Sequence, residues 1–354
     1  MRRIQGKLFP LVLFILTTLL ILSILLTSCM GAVQIPVSDT FRILAYHLFH
    51  VSLPETEALI GSAADSIIWS IRFPRILMGT AVGAGLALCG VSMQATVQNP
   101  LAEPYILGIS SGASLFATFS ILLGFGTISL FQISAVSLWS FLGALLASAA
   151  VIFLASAGSK ITSTKLILSG SIINALCTAF SNFIITIAAD AEGMMTLKFW
   201  TMGSLTKANW NNILFPIVTV AALWILYQVL FRPLNVLLMG DDAAITLGIN
   251  LNFYRNLFLA TASLVTGILV ASCGVIGFVG LIVPHIVRAI VGADHRRLVP
   301  VSALGGALFL LWADALARVL IPNTELPIGI LTSVVGAPVF VYILLKKSYH
   351  FKQS

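Results

Sequence analysis

LFPLVLFILTTLLILSILLTSC, residues 8–29, contains no charged side chain. A helix needs about 20 predominantly apolar residues to cross the hydrocarbon layer of a bilayer, so this stretch predicts a transmembrane helix. The rest of the chain has the same character, since 59% of its 354 residues are hydrophobic and 9% are charged. Soluble domains carry about 25% charged residues. This composition excludes a water-soluble enzyme, a nucleic-acid-binding protein and a disordered scaffold.

Charge-free intervals of the same kind continue along the chain. The interval 104–159 is too long for one helix and divides at residues 124–127 into two spans. The interval 256–287 is also too long, and its glycines and Pro284 predict a full span followed by a short, broken eighth one. The remaining predicted spans are residues 76–95, 166–188, 210–231, 298–320 and 326–345. The sequence thus predicts an all-α polytopic membrane protein of about ten transmembrane helices, with one transmembrane domain over residues 1–354.

The connectors between these spans carry unequal charge. With the N-terminus placed in the cytoplasm, 13 of the 19 basic residues and four of the 12 acidic residues lie inside. The outer side then has six basic and eight acidic residues, so the net charge is +9 inside and −2 outside. Membrane proteins concentrate Lys and Arg in their cytoplasmic connectors. The overall charge of +7 is therefore a topology signal, which places both termini in the cytoplasm.

The N-terminal segment has a second interpretation. Arg2 and Arg3, the apolar stretch and the sequence LTSC at residues 26–29 resemble a bacterial lipoprotein signal with a lipidated Cys29. The apolar core of a signal peptide is 7–15 residues long, which is shorter than this stretch. An ordinary first transmembrane helix is therefore the favoured interpretation.

Three arginines lie on the outer side against the general charge bias. Arg72 and Arg75 end the outer connector, residues 31–75, and Arg318 ends the ninth predicted span. Arginine favours bidentate recognition of carboxylates, so these residues predict a docking site for an acidic partner, with anchoring to the membrane interface as the alternative. Asp314 lies four residues before Arg318 on the same helix face, and this spacing predicts an ion pair.

The longest cytoplasmic connector, residues 232–255, contains a second pattern. Asp242, Ala243 and Ala244 are followed by Leu247 and Gly248. An acidic residue in the first turn, alanines within and a terminal glycine predict a short, separately capped helix. A rigid helix between two spans could transmit force from a cytoplasmic partner, whereas the alternative is a solvated connecting helix.

Motifs for chemistry are few. The chain has no P-loop sequence with which to bind and hydrolyse ATP, and its single cysteines and histidines show no metal-ligand spacing. We therefore expect no enzyme activity, metal or cofactor in this chain. Gly108-Ile109-Ser110-Ser111-Gly112 matches the nucleophile elbow G-x-S-x-G, but that motif requires a strand–turn–helix context. Within an apolar helix, small residues favour close helix packing.

Several ordered motifs together resemble the permease family of ABC importers that take up iron-siderophores, haem and cobalamin. The resemblance covers nearly the whole chain. The motifs are RFPR (72–75), QNPLAEP (98–104), GISSGA (108–113), GFVGLIVPHIVR (277–288), DHR (294–296), ADALAR (313–318), ELPIG (325–329) and GAPVF (336–340).

The resemblance implies a homodimer of ten-helix subunits in the bacterial cell (inner) membrane. Two ATP-binding cassette subunits would dock on the cytoplasmic side and bind the ATP, and an external (periplasmic) binding protein would deliver the chelate. By matching position, Arg72, Arg75 and Arg318 would contact glutamates of the binding protein, and the Asp242–Gly248 segment would enter a groove of the ATPase. Asn99, Leu101, Ser163 and Thr164 would form a cytoplasmic gate. The Leu-Pro pair that follows the acidic-Ala-Ala-Gly motif in another importer branch is lacking here.

Two other classes of function are weighed against this one. An ion-coupled secondary transporter would use Asp314 and Glu325, since carboxylates within the membrane often relay protons. A membrane-embedded serine hydrolase would use Ser110 as its nucleophile. The resemblance leaves the chelate open between siderophore, haem and corrinoid.

Overall fold

The computed structural model describes residues 8–124, 134–157, 161–188, 190–239, 250–321 and 324–346. These residues form helices, turns and connecting segments, with no strand among them. The predicted all-α class is confirmed. In chain order the helices are α1 (Phe9–Cys29), α2 (Val37–Phe49), α3 (Phe73–Thr96), α4 (Ile109–Leu122), α5 (Ala135–Ser156), α6 (Ser163–Ala188), α7 (Ala191–Thr201), α8 (Leu214–Val229), α9 (Phe231–Met239), α10 (Leu251–Cys273), α11 (Val279–Val291), α12 (His295–Val319) and α13 (Ile328–Lys346).

Within the described ranges, six helical segments are long and apolar enough to span a bilayer, and α8 with α9 forms a seventh that bends by 64°. Three shorter apolar helices, α4, α11 and α13, complete the set. Every one of the ten intervals predicted from charge contains one of these helices. A count of about ten spans is therefore consistent with the structure.

The helix that contains the second span begins earlier than the sequence predicts. A π-helix, Ser66–Arg72, runs directly into α3, so that a continuous helical segment extends from Ala63 to Thr96. Arg72 and Arg75 consequently lie inside this helical segment and not in a connector before residue 76. The helix can include them because both side chains are neutralised or hydrogen-bonded inside the protein, as described below.

Helix α3 lies at the centre of the molecule and packs against α8, α10, α11 and α12. Glycines make its closest contacts, since a Cβ atom added at Gly83 or Gly90 would collide with the backbone of Gly306 on α12 or Gly280 on α11. Gly112 on α4 faces Gly143 on α5 in the same way. Small residues allow membrane helices to approach this closely. The packing interpretation of the Gly108–Gly112 segment is confirmed.

The eighth span is short, as predicted, but α11 runs unbroken through Pro284 over 13 residues, so the break lies between the seventh and eighth spans and not within the eighth. Helix α10 ends at Cys273, Gly274 has a φ of 73°, and α11 starts only after Phe278, whose φ is 69°. The Tyr105 hydroxyl lies in the break, where it donates to the Ile276 carbonyl at 2.9 Å and accepts from the Ile276 amide at 3.2 Å. Backbone groups freed by a helix break need such partners inside a membrane.

Candidate functional site

The outer ends of α3 and α12 carry a buried ion network. Arg75 Nε donates to Asp314 at 2.9 Å, and Arg318 Nε lies 3.2 Å from the second oxygen of the same carboxylate. Arg75 Nη1 donates to Glu325 at 2.8 Å. The Asp314 side chain is 1% exposed and the Arg75 side chain 8%, whereas that of Glu325 is 48% exposed. The predicted Asp314–Arg318 pair is confirmed, and it belongs to a four-residue network.

Arg72 and Arg318 also hold the end of α1 in place through hydrogen bonds. Arg72 Nη1 donates to the Ser28 carbonyl at 2.9 Å, and its Nη2 donates to the Val33 carbonyl. Arg318 donates to the Met30 carbonyl at 2.8 Å and the Thr27 carbonyl at 3.1 Å. The last carbonyls of a helix have no partner within it and form the negative end of its dipole. The two guanidinium groups supply those partners and tie α1 to the neighbouring helices.

The structure brings Arg72, Arg75 and Arg318 together, as their common predicted role requires. All three are buried, with 6% of each residue exposed, and their groups are already bonded within the chain. The role of Glu325 as a partner of Arg75 was missed. Its signal in the sequence was the ELPIG motif, which supplies the one acidic residue between the ninth and tenth predicted spans.

Glu325 also lines an outer cavity of about 390 Å³. The opposite charge in its lining is Lys207, and the ring of Trp200 forms part of the wall. Hydroxyl groups contribute most of the remaining polar surface, from Ser134, Ser137, Thr196, Ser204, Thr206 and Ser272. The cavity therefore joins a polar outer mouth to the ion network through one carboxylate.

On the opposite side, three of the four predicted gate residues, Asn99, Leu101 and Ser163, lie at one junction. The Asn99 side chain accepts from the Leu101 amide at 2.9 Å and holds the turn after α3. The Ser163 hydroxyl, at the start of α6, donates to the Val97 carbonyl, two residues before Asn99. Thr164 follows on the same helix and is exposed. The assignment of these residues to a gate remains a prediction.

The predicted coupling segment, Asp242 to Gly248, lies outside the described residues. The helix that leads into it, α9, is fixed to the start of α12 by one side chain. Asn235 donates to Asp294 at 2.9 Å and accepts from the backbone amide and ring Nδ1 of His295 at 2.8 and 2.7 Å. Sequence reasoning missed Asn235, although the adjoining DHR motif was noted.

Asp294 is held ionised at this junction. Burial alone would raise its pKa, but hydrogen bonds from Asn235 and the Arg296 amide, with the charge of Arg297, outweigh burial and lower the pKa below the ordinary value. Asp294 also caps the N-terminus of α12. The junction between α9 and α12 is therefore charged and hydrogen-bonded at neutral pH.

Helix α6 presents three faces, of which sequence reasoning identified none. Its buried face follows Leu166, Ile173, Cys177 and Ile184. A neighbouring face is apolar but exposed and consists of Leu168, Ile172, Leu176, Phe180, Phe183 and Ile187. The third face carries the exposed polar stripe of Ser171, Asn174, Thr178, Asn182 and Thr186.

The spacing of this polar stripe is three or four residues throughout, which keeps it on one side of a helix that turns about 100° per residue. Amide and hydroxyl side chains in the hydrocarbon layer seek hydrogen-bonding partners. Ser171 and Thr186 donate to the carbonyls of Ile167 and Asn182 one turn back on α6, at 2.9 and 2.8 Å. The amides of Asn174 and Asn182 are therefore the members of the stripe that most need water or another polar surface.

Comparison with known proteins agrees with the arrangement of helices. The model of the FecCD transport family matches residues 19–346 of this chain. The chain belongs to the FecCD transport family.

Several relatives are similar over most of their length. The ABC transporter permease protein YvrB of Bacillus subtilis is 38% identical over 93% of this chain and 91% of its own. The hemin transport system permease protein HmuU of Yersinia pestis is 40% identical over 79% and 84%. The vitamin B12 import system permease protein BtuC of Citrobacter koseri is 35% identical over 94% and 93%.

A solved structure has the same fold. The inward-facing conformation of a metal-chelate type ABC transporter superposes with a TM-score of 0.77 and 31% identity, covering 96% of this chain and 100% of that one. Together these similarities identify a FecCD-family permease of an ABC importer and a multi-pass membrane protein, consistent with the bacterial inner membrane.

The two other classes of function receive no support from this FecCD-family structure. Asp314 is enclosed between two arginines and Glu325 is bonded to one of them, so neither carboxylate is placed as a free proton relay. Ser110 lies at the start of α4, and its neighbour Gly112 packs against α5.

Proposed function

We propose that the chain is the membrane-spanning subunit of an ATP-driven importer that works as a homodimer. It would receive an iron chelate (siderophore), haem or a corrinoid from an external binding protein and pass it into the cytoplasm. Two separate ATP-binding cassette subunits would hydrolyse the ATP, so this chain would itself be neither an enzyme nor a cofactor-binding protein.

The polar stripe on α6 is the observation that carries the proposal. An exposed row of Ser, Thr and Asn side chains on a spanning helix is unfavourable against lipid. A second copy of the chain, placed with its own α6 opposite, would enclose the two stripes in a water-filled path. The neighbouring exposed apolar face of α6 would then contact the second copy or lipid.

The character of the stripe fits a polar solute that must not bind tightly. Its five side chains are neutral hydrogen-bonding groups, so they offer weak and replaceable contacts along the path. The relatives named for hemin and vitamin B12 transport and the metal-chelate type structure support a bulky chelate as the cargo. A solute of this size requires helices to move, and the glycine contacts of α3 would allow them to slide.

In this proposal each predicted site has a role along the path. Arg72, Arg75 and Arg318 would form the outer docking region for the external binding protein, and Asn99, Leu101, Ser163 and Thr164 would close the cytoplasmic end. The Asp242–Gly248 segment would contact the ATPase subunit.

Helix α12 supplies a mechanical link between the two faces. Asn235 holds its start at His295, and the ion network holds its end at Asp314 and Arg318. At 1.5 Å per residue, 25 residues make a rod about 37 Å long. A movement of α9 by the ATPase would therefore be delivered to the outer network.

Cysteine labelling tests the path. In a chain whose four native cysteines are replaced, we expect Thr178→Cys in the assembled transporter to react with a water-soluble maleimide. The matched control Ile172→Cys, on the apolar face of the same helix, should react much more slowly because water is excluded there. A water-filled path along α6 would be contradicted if Thr178→Cys reacted as slowly as Ile172→Cys and Asn174→Cys did not react.

A further inference from the structure

The outer ion network contains two carboxylates in different situations. Asp314 lies within α12, is 1% exposed, and bonds both Arg75 and Arg318. Glu325 lies in the segment between α12 and α13, is 48% exposed, and bonds Arg75 through a different nitrogen, Nη1. Removing Asp314 from its place would leave two buried guanidinium groups without their shared counter-ion. Moving Glu325 into solvent costs less than displacing Asp314, because its side chain is already 48% exposed and Arg75 keeps its bond to Asp314.

The three arginines also differ in what they can still bind. Arg72 donates to carbonyls at the end of α1 and beyond it, and Arg318 donates to two more carbonyls there. Those carbonyls belong to the helix end and cannot move away without unfastening α1. Arg75 differs, because one of its two partners is a half-exposed side chain. An external carboxylate can therefore reach Arg75 by replacing Glu325, without a change in the packing of α1.

We propose that Glu325 is an internal carboxylate that occupies the Arg75 site until a carboxylate of the acidic external partner replaces it. This inference rests on the proposed function only in naming the external binding protein as that partner. The network pairs Arg75 and Arg318 with two carboxylates, and Arg72 lies beside it, bonded to the end of α1, so release of Glu325 increases the local positive charge. The exchange thus makes the outer face selective for a partner that presents an acidic side chain at this position.

Replacement of Glu325 at Arg75 would also change the lining of the outer cavity. Glu325, Leu326 and Pro327 all line this cavity. The Leu326 amide donates to the Ala317 carbonyl, and the Ile328 amide donates to the Gly203 carbonyl, each at 3.2 Å. These two backbone bonds hold the segment in place when the Glu325 side chain leaves. Docking would therefore move the Glu325 carboxylate away from Arg75 and leave the backbone of this segment intact.

Arginine labelling of the full chain in lipid nanodiscs tests the proposal. Phenylglyoxal modifies accessible guanidinium groups, and peptide mass spectrometry reports the rate at each arginine. We expect Glu325→Gln to raise the rate at Arg75 about fivefold, the effect of losing one partly exposed ion pair. The matched control Glu57→Gln, an exposed acid of the outer connector, should leave it unchanged. Constant rates at Arg72 and Arg318 verify that the fold is retained.

An acidic probe tests the second half of the exchange. Poly-L-glutamate should slow the labelling of Arg75 in Glu325→Gln more strongly than in the unaltered chain, and poly-L-lysine should have no effect. Equal Arg75 rates with and without Glu325, or no protection by poly-L-glutamate, would overturn the proposal. Neither measurement involves ATP or a chelate, so such a failure would leave the importer function standing, and failed uptake with normal labelling would contradict only the importer function.

Discussion

Replacing Asp314 with Asn removes the charge at the centre of the outer network and keeps the size of the side chain. Asn can still accept from Arg75 Nε, which donates to Asp314 at 2.9 Å, but its amide nitrogen would face the Arg318 donor that now lies at 3.2 Å. Arg75 would then keep the half-exposed Glu325, and Arg318 would keep its bonds to the carbonyls of Thr27 and Met30. Removing one partner of a buried ion pair costs about 3–5 kcal/mol.

This loss is large enough to measure by thermal unfolding in detergent. An unfolding entropy of about 2.1 cal/mol/K per residue over 354 residues converts it into a fall in Tm of about 4–7 °C. The control is Asp39→Asn, which breaks an ion pair with Arg42 whose side chains are 26% exposed. Such pairs contribute about 0–1 kcal/mol, so the control should move the Tm by about 1 °C or less.

A second substitution tests whether the loss of stability in Asp314→Asn comes from unpaired charge. Arg318→Gln, added to Asp314→Asn, removes the cation left without a carboxylate, and we expect the double variant to lose less stability than the two single losses combined. A Tm for Asp314→Asn within about 1 °C of the unaltered protein would refute the reasoning. Loss of transport at an unchanged Tm would instead indicate a proton-relay role for Asp314.

Three further predictions concern other parts of the molecule. Gly83→Val should lower stability by at least about 2 kcal/mol by forcing α3 from the Gly306 backbone, measured by thermal unfolding, whereas Gly277→Ala, with open space around it, should change little. Tyr105→Phe removes both hydrogen bonds to Ile276 and should cost about 1–3 kcal/mol, with faster hydrogen exchange at residues 274–278; unchanged exchange would contradict a role in holding the break. Asn235→Ala should loosen the junction of α9 and α12 and lower the ratio of uptake to ATP hydrolysis, while unchanged coupling would remove α12 from the proposed link.

Much of the fold was predictable because hydrophobicity alone determines where a chain crosses a membrane. The charge-free intervals agree with the long and short apolar helices of the described residues, and Gly274 indicated the break before the eighth span, whereas the helix continues through Pro284. The start of the second span was wrong, because the rule that charges interrupt spans assumes that they meet lipid. Arg72 and Arg75 instead find carbonyls and carboxylates from segments far away in sequence, and no local pattern encodes such partners.

For the site, too, the sequence identified the arginines but not the tertiary contacts that they make. The arginines stood out by their position against the charge bias, and the motif order placed them in one family. Their internal bonds to the end of α1, the bond between Arg75 and Glu325, and the bridge made by Asn235 are all tertiary contacts. The polar stripe on α6 could have been found from its spacing of three and four residues, but its exposure depends on which faces the other helices cover.

Transport in reconstituted vesicles tests the central claim most directly. The purified chain, its ATP-binding cassette partner and the external binding protein are placed in vesicles, and uptake of labelled siderophore, haem or cobalamin is followed with and without ATP. The proposed function predicts uptake of one of these chelates that requires ATP and both partners, persists when the proton gradient is collapsed, and is accompanied by no ATP hydrolysis by the chain alone. Uptake that continues without ATP and stops when the proton gradient is collapsed would contradict it.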